Sequence, residues 1–461
     1  MERKFFGTDG IRGKANTFPM TAEVALKLAQ AAALSLLKGY SSEGLLVNKL
    51  GSTKPKVVIG KDTRLSGYIF EFALTSGFNS MGIDVYLVGP MPTPAIAHLT
   101  RSFAADLGIV ISASHNPAED NGIKFFDKDG YKLSDNVEYE IEQLMLENIE
   151  TSHINGRHVG KAYRIGDAQG RYIEFAKGSI NNLSLLGLKI VLDCANGAAY
   201  RVAPLVFTEL GADVVVFNNQ PDGLNINKEC GALYPSFLQA KIKELSADFG
   251  VALDGDADRL IMVDDEGKEV DGDMLLGMSA LHLKEQGRLK NNTLVCTVLS
   301  NLGFEKSMRD SGISVVRTKV GDRYVIEEMK KNGYTLGGEQ SGHLIFGDYN
   351  TTGDGIIAAL QIASIVKQSG KRLSELKKCI LRYPQVMISF NVREKRPIEE
   401  MNEVCSIISS AEKSLGNSGR IIVRYSGTEK KCRVMVEAKD EKVVKKLAKR
   451  IADAIKKEIG D

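Results

Sequence analysis

Ser114 stands in the run Ile111-Ser112-Ala113-Ser114-His115-Asn116-Pro117. A serine hydroxyl is a weak nucleophile unless a base or a metal activates it. His115 could assist, although neighbours in a loop often point apart, and Asn116-Pro117 stiffens a turn. On its own the run reads more readily as a polar turn than as a catalyst. A second run, Asp254-Gly255-Asp256-Ala257-Asp258-Arg259, sets three carboxylates at alternate positions. Carboxylates so spaced can converge on one side of a turn and suit a hard divalent cation. An EF-hand would need glycine at its sixth position and glutamate at its twelfth. Arg259 and Asp265 occupy those places, which disfavours that loop. An Asp-x-Asp phosphatase with Asp254 as nucleophile is a rival that leaves Ser114 without a task. A solvated acidic turn is another, weakened because clustered carboxylates without a cation repel. Arg259 could help hold a phosphate.

Other loops carry groups that grip sugars and phosphates. Gly337-Gly338-Glu339-Gln340-Ser341-Gly342-His343 permits close backbone approach, with Glu339 as acceptor and Ser341 as hydroxyl. A plain glycine-rich turn fits it equally well. Arg424-Tyr425-Ser426-Gly427-Thr428-Glu429, with Arg433 beyond, joins hydroxyls and a glycine to arginines. Such arginines bind phosphate oxygens bidentately; the competing reading is an ordinary strand and turn. Phe6-Gly7-Thr8-Asp9-Gly10-Ile11-Arg12-Gly13 and Lys319-Val320-Gly321-Asp322-Arg323 pair glycine with cations, as a phosphate neighbourhood or a solvated turn would.

Three similar segments must position these loops. Each opens with an apolar strand: Lys56-Val57-Val58-Ile59-Gly60, Lys189-Ile190-Val191-Leu192-Asp193 and Thr293-Leu294-Val295-Cys296-Thr297. Each passes through a helix to a Gly-led strand, starting at Gly82, Gly211 and Gly312. A third strand follows, over Leu107 to Ile111, Phe249 to Leu253 and Tyr334 to Gly337, and runs into the Ser114, Asp254 or Glu339 loop. Hairpin-like stretches come next: Ile123 to Leu133, Leu260 to Val270 and Leu344 to Thr351. Their Asp-Gly and Glu-Gly turns suit positive φ. Apolar strands alternating with helices imply βαβ units and α/β domains. Open α/β sheets bind ligands at the carboxyl ends of their strands, so three equivalent loops could meet in one cleft. Alternation alone is weak, because many α/β proteins share it; a distinctive polar loop at the same place in each repeat is less easily fortuitous.

The last eighty or so residues differ. Pro397 to Leu415 and Glu441 to Ile459 read as amphipathic helices flanking a strand-rich stretch, Arg420 to Ala438, in the manner of a small α+β domain. The lysines of the final helix read as a solvated face. A chain of 461 residues suggests three or four domains. A net charge of +2 argues against a sequence-independent grip on nucleic acid. No apolar run is long enough to span a bilayer. The opening Met1-Glu2-Arg3-Lys4 lacks a secretory apolar segment, so a cytoplasmic location is expected. Cys194, Cys230, Cys296, Cys379, Cys405 and Cys432 are scattered, without a Cys-x-x-Cys pair, and read as buried free thiols.

Together the loops resemble the α-D-phosphohexomutase superfamily over essentially the whole chain, closest to its bacterial phosphoglucosamine mutase branch. The match rests on Gly7 to Gly13, Gly60-Lys61-Asp62-Thr63-Arg64-Leu65-Ser66-Gly67, Pro92-Thr93-Pro94, the Ser114 loop and Asp193-Cys194-Ala195-Asn196-Gly197. It continues through Asp254 to Arg259, Thr318 to Tyr324, Gly337 to His343 and Thr351-Thr352-Gly353-Asp354-Gly355. The resemblance implies three consecutive similar α/β domains with mixed sheets and a smaller C-terminal α+β domain around a central cleft. Residues 1–170 would carry the phosphoserine loop, 171–270 the metal loop, 271–382 the sugar loop and 383–461 the phosphate loop.

The resemblance further implies that Ser114 is carried as phosphoserine, with one Mg²⁺ held by Asp254, Asp256, Asp258 and a phosphate oxygen on Ser114. His115, Lys124, Arg12 and Lys319 are its acid/base candidates. Arg259, Lys319, Glu339, Ser341, His343, Arg424, Ser426, Gly427, Thr428 and Arg433 are its substrate contacts. The implied reaction converts glucosamine 6-phosphate to glucosamine 1-phosphate through a hexosamine or hexose 1,6-bisphosphate that also primes the enzyme. That reaction lies on the route to UDP-N-acetylglucosamine, in amino-sugar and cell-wall precursor synthesis. The partners would be small sugar phosphates, with no nucleic acid or membrane, and the protein a monomer or homodimer. A mobile last domain could close over substrate and exclude water. A phosphomannomutase or phosphoglucomutase, and a non-catalytic sugar-phosphate sensor on the same fold, stay open as alternatives. The chain departs from the usual pattern at Ala118-Glu119-Asp120, where an aromatic residue is more usual after Pro117. Ala232-Leu233-Tyr234 replaces Ser-Thr-His, and Tyr425 and Lys430 stand where prolines are common. None of these removes a named catalytic group.

Overall fold

The computed structural model describes residues 4–7, 9–38, 54–151, 154–426 and 430–460. They form two compact units: the chain up to Val298 with Val316–Lys377, and Leu299–Val315 with Lys378–Asp461.

Three of the four sheets share one strand order. The first holds β1 (Ile11–Lys14), β2 (Lys56–Lys61), β3 (Asp84–Pro90), β4 (Leu107–Ile111), β5 (Asp120–Asp127) and β6 (Ala162–Arg164), ordered β1-β5-β4-β2-β3-β6. The second holds β7 (Lys189–Asp193), β8 (Asp213–Phe217), β9 (Phe249–Leu253), β10 (Leu260–Asp264) and β11 (Glu269–Val270), ordered β11-β10-β9-β7-β8. The third holds β12 (Thr293–Thr297), β13 (Ser314–Thr318), β14 (Leu336–Gly338) and β15 (Leu344–Phe346), ordered β13-β12-β14-β15. In each, the repeat's first strand lies between its second and third. The first and third strands run parallel, and a fourth returns antiparallel beside the third. That reversal turns each third-to-fourth connection into a tight loop at a strand's carboxyl end. These connections are the Ser114, Asp254 and Glu339 loops, so one topological rule places all three.

The apolar strands are strands because both faces are covered. Every residue of β4, β9 and β12 is buried, as parallel strands beneath helices require. Helix Gly355–Ser369 shows how the repeats interlock. It follows the third sheet in sequence yet packs on β9 and β10 of the second, burying twelve residues. Asp354 caps it, accepting from the Ile356 and Ile357 N–H groups at 3.1 and 3.0 Å.

Local expectations change at several places. β14 starts at Leu336, two residues after the expected Tyr334. Leu344–Phe346 is not a hairpin of its own; it pairs back onto β14. Leu260 to Val270 does fold as a hairpin, with Met262 opposite Val270. β1 was not foreseen. It pairs antiparallel with β5, Arg12 opposite Gly122, and so carries the N-terminal motif to the strand that bears Lys124.

In the second unit, β16 (Gln385–Asn391), β17 (Gly419–Tyr425) and β18 (Lys431–Ala438) form a sheet ordered β16-β18-β17. Its core joins Val434 and Val436 to Val444, Ala448, Ile451 and Ile455 of helix Glu441–Ile459. The expected helix from Pro397 begins at Asn402, after a 3₁₀ turn at Ile398–Glu400. The edge strand β16, paired with the central β18, was not foreseen, although Val386, Ile388 and Phe390 alternate with exposed residues. All six cysteines are free thiols. Four are buried, but Cys379, in a surface 3₁₀ turn, is exposed and Cys405 half-buried, contrary to expectation. Among the described residues, no helix is long and apolar enough to cross a membrane.

Candidate active site

The Ser114 loop leaves β4 and folds back into β5. Ser114 is buried, with its backbone in the left-handed region at φ +52°. Its hydroxyl donates to Asp254 Oδ2 at 2.7 Å and lies 3.3 Å from His115 Nδ1. The serine of the first repeat thus reaches the acidic loop of the second.

That acidic loop is a tight turn. The Ala257 N–H donates to the Asp254 carbonyl at 3.0 Å, and Ala257 itself takes φ +55°. The turn aims Asp254, Asp256 and Asp258 inward, with one oxygen of each within 4.8 Å of the others. All three are buried. Burial pushes the Asp254 carboxyl well above its ordinary range, and the charges of Asp258 and Asp256 add to the push. Asp256 Oδ1 and Asp258 Oδ1 are buried without a hydrogen-bond partner. Three converging carboxylates with orphaned oxygens are a poor apolar interior and a good cradle for a hard divalent cation. On donor chemistry the site fits Mg²⁺.

Protein cations occupy the remaining sides. Lys124, on β5, is buried and donates to Asp256 Oδ2 at 2.8 Å; it lies 3.2 Å from Asp9 and 3.8 Å from Asp258. Burial alone would lower its pKa, but Asp256, Asp9 and Asp258 raise it well above the usual value. Arg12 and Lys132 also bond to Asp9, and Lys132 bonds to Asp322 of the third repeat. Against its burial, Lys124, Lys132 and Arg12 hold the Asp9 carboxyl well below the carboxylate range. His115 behaves oppositely: burial, with Arg259 and Arg12 nearby, lowers its pKa to about 4. At neutral pH its ring is therefore uncharged.

The third loop supports and lines the site. Glu339 is 8% exposed and accepts from the Gly321 N–H at 3.1 Å. Ser341 and Lys319 are exposed, and Arg259 partly so. His343, expected among the substrate contacts, is only 1% exposed. Its Nε2 accepts from the Gly353 N–H at 3.0 Å and its Nδ1 faces Asp258 at 3.7 Å. That geometry ties it to the Asp258 carboxylate and to the Gly353 backbone. In the second unit, Arg424 and Arg433 are directly opposite on β17 and β18 and share a face. Ser426 follows at the strand end, its N–H bonded to the Lys431 carbonyl at 2.8 Å. Gly427 and Thr428 lie outside the described residues.

Several supporting residues escaped sequence reasoning. Thr93 donates its hydroxyl to Asp256 Oδ2 at 2.7 Å and its N–H to the Asp256 carbonyl at 2.9 Å. Asn227 donates to the carbonyls of Ser114 and Asn116 at 2.9 and 3.1 Å. For Thr93 the only available signal was the Pro92-Thr93-Pro94 motif; Asn227 had none.

Four family models match the chain in order. They are phosphoglucomutase/phosphomannomutase alpha/beta/alpha domains I, II and III, over residues 3–152, 170–267 and 271–383, and the C-terminal domain over 387–454. A phosphoglucosamine mutase of Syntrophotalea carbinolica is 52% identical, across 100% of this chain and 99% of its own length. Among solved structures, a phosphoglucomutase/phosphomannomutase family protein of Burkholderia thailandensis superposes with a TM-score of 0.77 at 21% identity, covering 99% of each chain. An Aspergillus fumigatus N-acetylphosphoglucosamine mutase, solved with GlcNAc-6P and magnesium, gives 0.65 at 18% identity over 99% of this chain and 96% of its own. At such identities these two structures speak for the fold.

Proposed function

The chain belongs to the phosphoglucomutase/phosphomannomutase family, and on that premise we propose that it interconverts glucosamine 6-phosphate and glucosamine 1-phosphate as an intramolecular phosphotransferase. One observation carries the mechanism: the Ser114 hydroxyl bonds at 2.7 Å to a carboxylate of a buried trio that holds orphaned oxygens. Ser114 is the phosphoryl carrier. As phosphoserine it gives its phosphoryl group to the free hydroxyl of the bound sugar phosphate. The Oγ–P bond breaks, a sugar O–P bond forms, and the sugar hydroxyl proton ends on Oγ. The 1,6-bisphosphate reorients and returns its other phosphoryl group to Ser114 by the reverse exchange.

Phosphoryl transfer needs mostly positioning and charge neutralisation. Mg²⁺, held by Asp254, Asp256 and Asp258, would polarise the phosphoryl group and make the serine oxygen a better leaving group. Lys124 remains an ammonium among its carboxylates and meets the phosphoryl group as a charge and a hydrogen-bond donor. Neutral His115 is the group beside Ser114 able to take a proton. Arg12 and Arg259 add positive charge, and Glu339, Ser341 and Lys319 meet the sugar phosphate. Arg424, Ser426 and Arg433 form a phosphate grip of the second unit, together with Gly427 and Thr428.

The test assays the pure protein on glucosamine, mannose and glucose 6-phosphates with Mg²⁺ and a hexose 1,6-bisphosphate. Preferred turnover of a non-amino sugar defeats the substrate assignment. Peptide mass spectrometry is expected to find phosphate on Ser114. Full activity in Ser114→Ala defeats the carrier.

A further inference from the structure

Arg64 is completely buried, an unusual place for a guanidinium. Every bond its guanidinium makes is directed at the Ser114 loop or at the group that holds it there. One terminal nitrogen donates to the Ser114 carbonyl at 2.9 Å and the Asn116 carbonyl at 2.8 Å; the other donates to the Pro117 carbonyl. Its Nε donates to Asp62 Oδ2 at 2.8 Å. Asp62 also accepts the Ser112 hydroxyl, and Ser112 Oγ in turn accepts the Ser114 N–H at 2.9 Å.

The bonds close a ring. It runs from the Ser114 N–H through Ser112, Asp62 and Arg64 back to the Ser114 carbonyl, so both peptide groups of the serine are held by one connected set of side chains. A non-glycine residue in the left-handed region is disfavoured because its β-carbon crowds the following carbonyl oxygen. Such a conformation persists only where its surroundings over-determine it. Here charge-assisted bonds to three carbonyls do so, and they leave Oγ as the free arm of the residue, aimed at Asp254.

We propose that Arg64 is a positioning residue for the phosphoryl carrier: the Arg64–Asp62–Ser112 ring returns the Ser114 oxygen to one place in both its free and its phosphorylated states. The proposal rests on the carrier role given to Ser114 above. A serine that gives a phosphoryl group and later receives another needs the same geometry twice, while the sugar between the two events turns round. A loop able to relax in that interval would misplace the acceptor.

The test follows loading of Ser114 directly. With glucose 1,6-bisphosphate as probe and Mg²⁺ present, loading breaks a sugar O–P bond, makes the Oγ–P bond and moves the serine proton to the released sugar oxygen. Intact mass gives its rate; steady-state turnover gives kcat and KM. Arg64→Met removes every donor and is expected to slow loading and kcat about a hundredfold, the size of effect an ångström of misplacement produces. KM stays within about threefold, because the sugar-binding groups are untouched. Arg64→Lys restores part of the loss, since an ammonium reaches some of the carbonyls but cannot span the whole set. Ser112→Ala opens the ring at a small side chain and is expected to slow loading about tenfold, with the melting temperature near that of the wild type. If Arg64→Met does not fold, Arg64→Lys and Ser112→Ala decide. Wild-type loading in both overturns the proposal, as does a rise in KM with kcat unchanged. A wild-type protein that loads from the bisphosphate but ignores glucosamine 6-phosphate refutes the substrate reading and leaves the ring intact.

Discussion

Gly255→Ala isolates the contact between the serine loop and the acidic loop. A β-carbon at Gly255 would sit 2.5 Å from the Ser114 carbonyl oxygen, 2.8 Å from Asn227 Nδ2 and 2.9 Å from Ile226 Cδ1. Ordinary contacts of such atoms begin near 3.5 Å, so the loops must part by about 1 Å. The Ile226 methyl can give way, but the two nearest obstacles cannot. Asn227 is pinned by its bonds to the Ser114 and Asn116 carbonyls, and Arg64 holds the Ser114 carbonyl from the opposite loop. Overpacking of this kind costs about 1–3 kcal/mol of stability. The larger effect falls on chemistry: parting the loops stretches the 2.7 Å approach of Ser114 Oγ to Asp254, and an ångström there costs about a hundredfold in rate. The assay is kcat under saturating sugar phosphate and bisphosphate, with thermal unfolding alongside. The expected result is a folded protein with kcat down about a hundredfold and KM little changed. A variant within twofold of wild-type kcat refutes the reasoning that this approach sets the serine against the carboxylates.

Mg²⁺ at about a hundred times its dissociation constant should raise wild-type stability by about 2.7 kcal/mol, seen by calorimetry. Asp254→Asn should lose most of that gain, and an equal gain in both proteins contradicts the cation site. Arg433→Met should raise KM about tenfold or more with a smaller change in kcat, since a charge-assisted hydrogen bond contributes about 1.5–3 kcal/mol; an unchanged KM removes Arg433 from the phosphate grip. His98 stacks on Phe175 at 3.8 Å, and burial, helped by Arg101 and Arg171, lowers its pKa from 6.5 to about 4. The unfolded chain therefore takes up this proton first as pH falls, so stability declines from about pH 6.5 down to about pH 4. His98→Phe keeps the stack and should flatten denaturant-measured stability across that window; an unaltered slope rules the histidine out.

The legible parts of the chain are those whose physics is local. Helix Glu441–Ile459 ends where its apolar period ends, and β4 and β9 match their buried apolar runs residue for residue. The Asp254 loop announces itself by packing three carboxylates into five positions, a local pattern that suits a hard cation. β1 and β16 were hidden for the opposite reason. β1 is only four residues long and takes its place from β5, distant in sequence; β16 does alternate, with Val386, Ile388 and Phe390 on the core side, but only its pairing with β18 identifies it as a strand of this sheet. His343 looks available in its glycine-rich loop. Only packing shows Gly353 and Asp258 closing over its two nitrogens.

The amino-acid sequence by itself determined three repeats, the polar loop ending the third strand of each, and the residues able to carry phosphate and metal. Those are properties of periodicity, turn chemistry and side-chain type, which act over a few residues. Tertiary structure alone decided that Ser114 meets Asp254 across 140 positions and that Arg64 and Thr93 hold the two loops in register. It also decided that Lys124 stays charged while His115 stays neutral. Burial sets those last assignments, because removing water leaves each group's charge to be settled by the neighbours the fold brings to it.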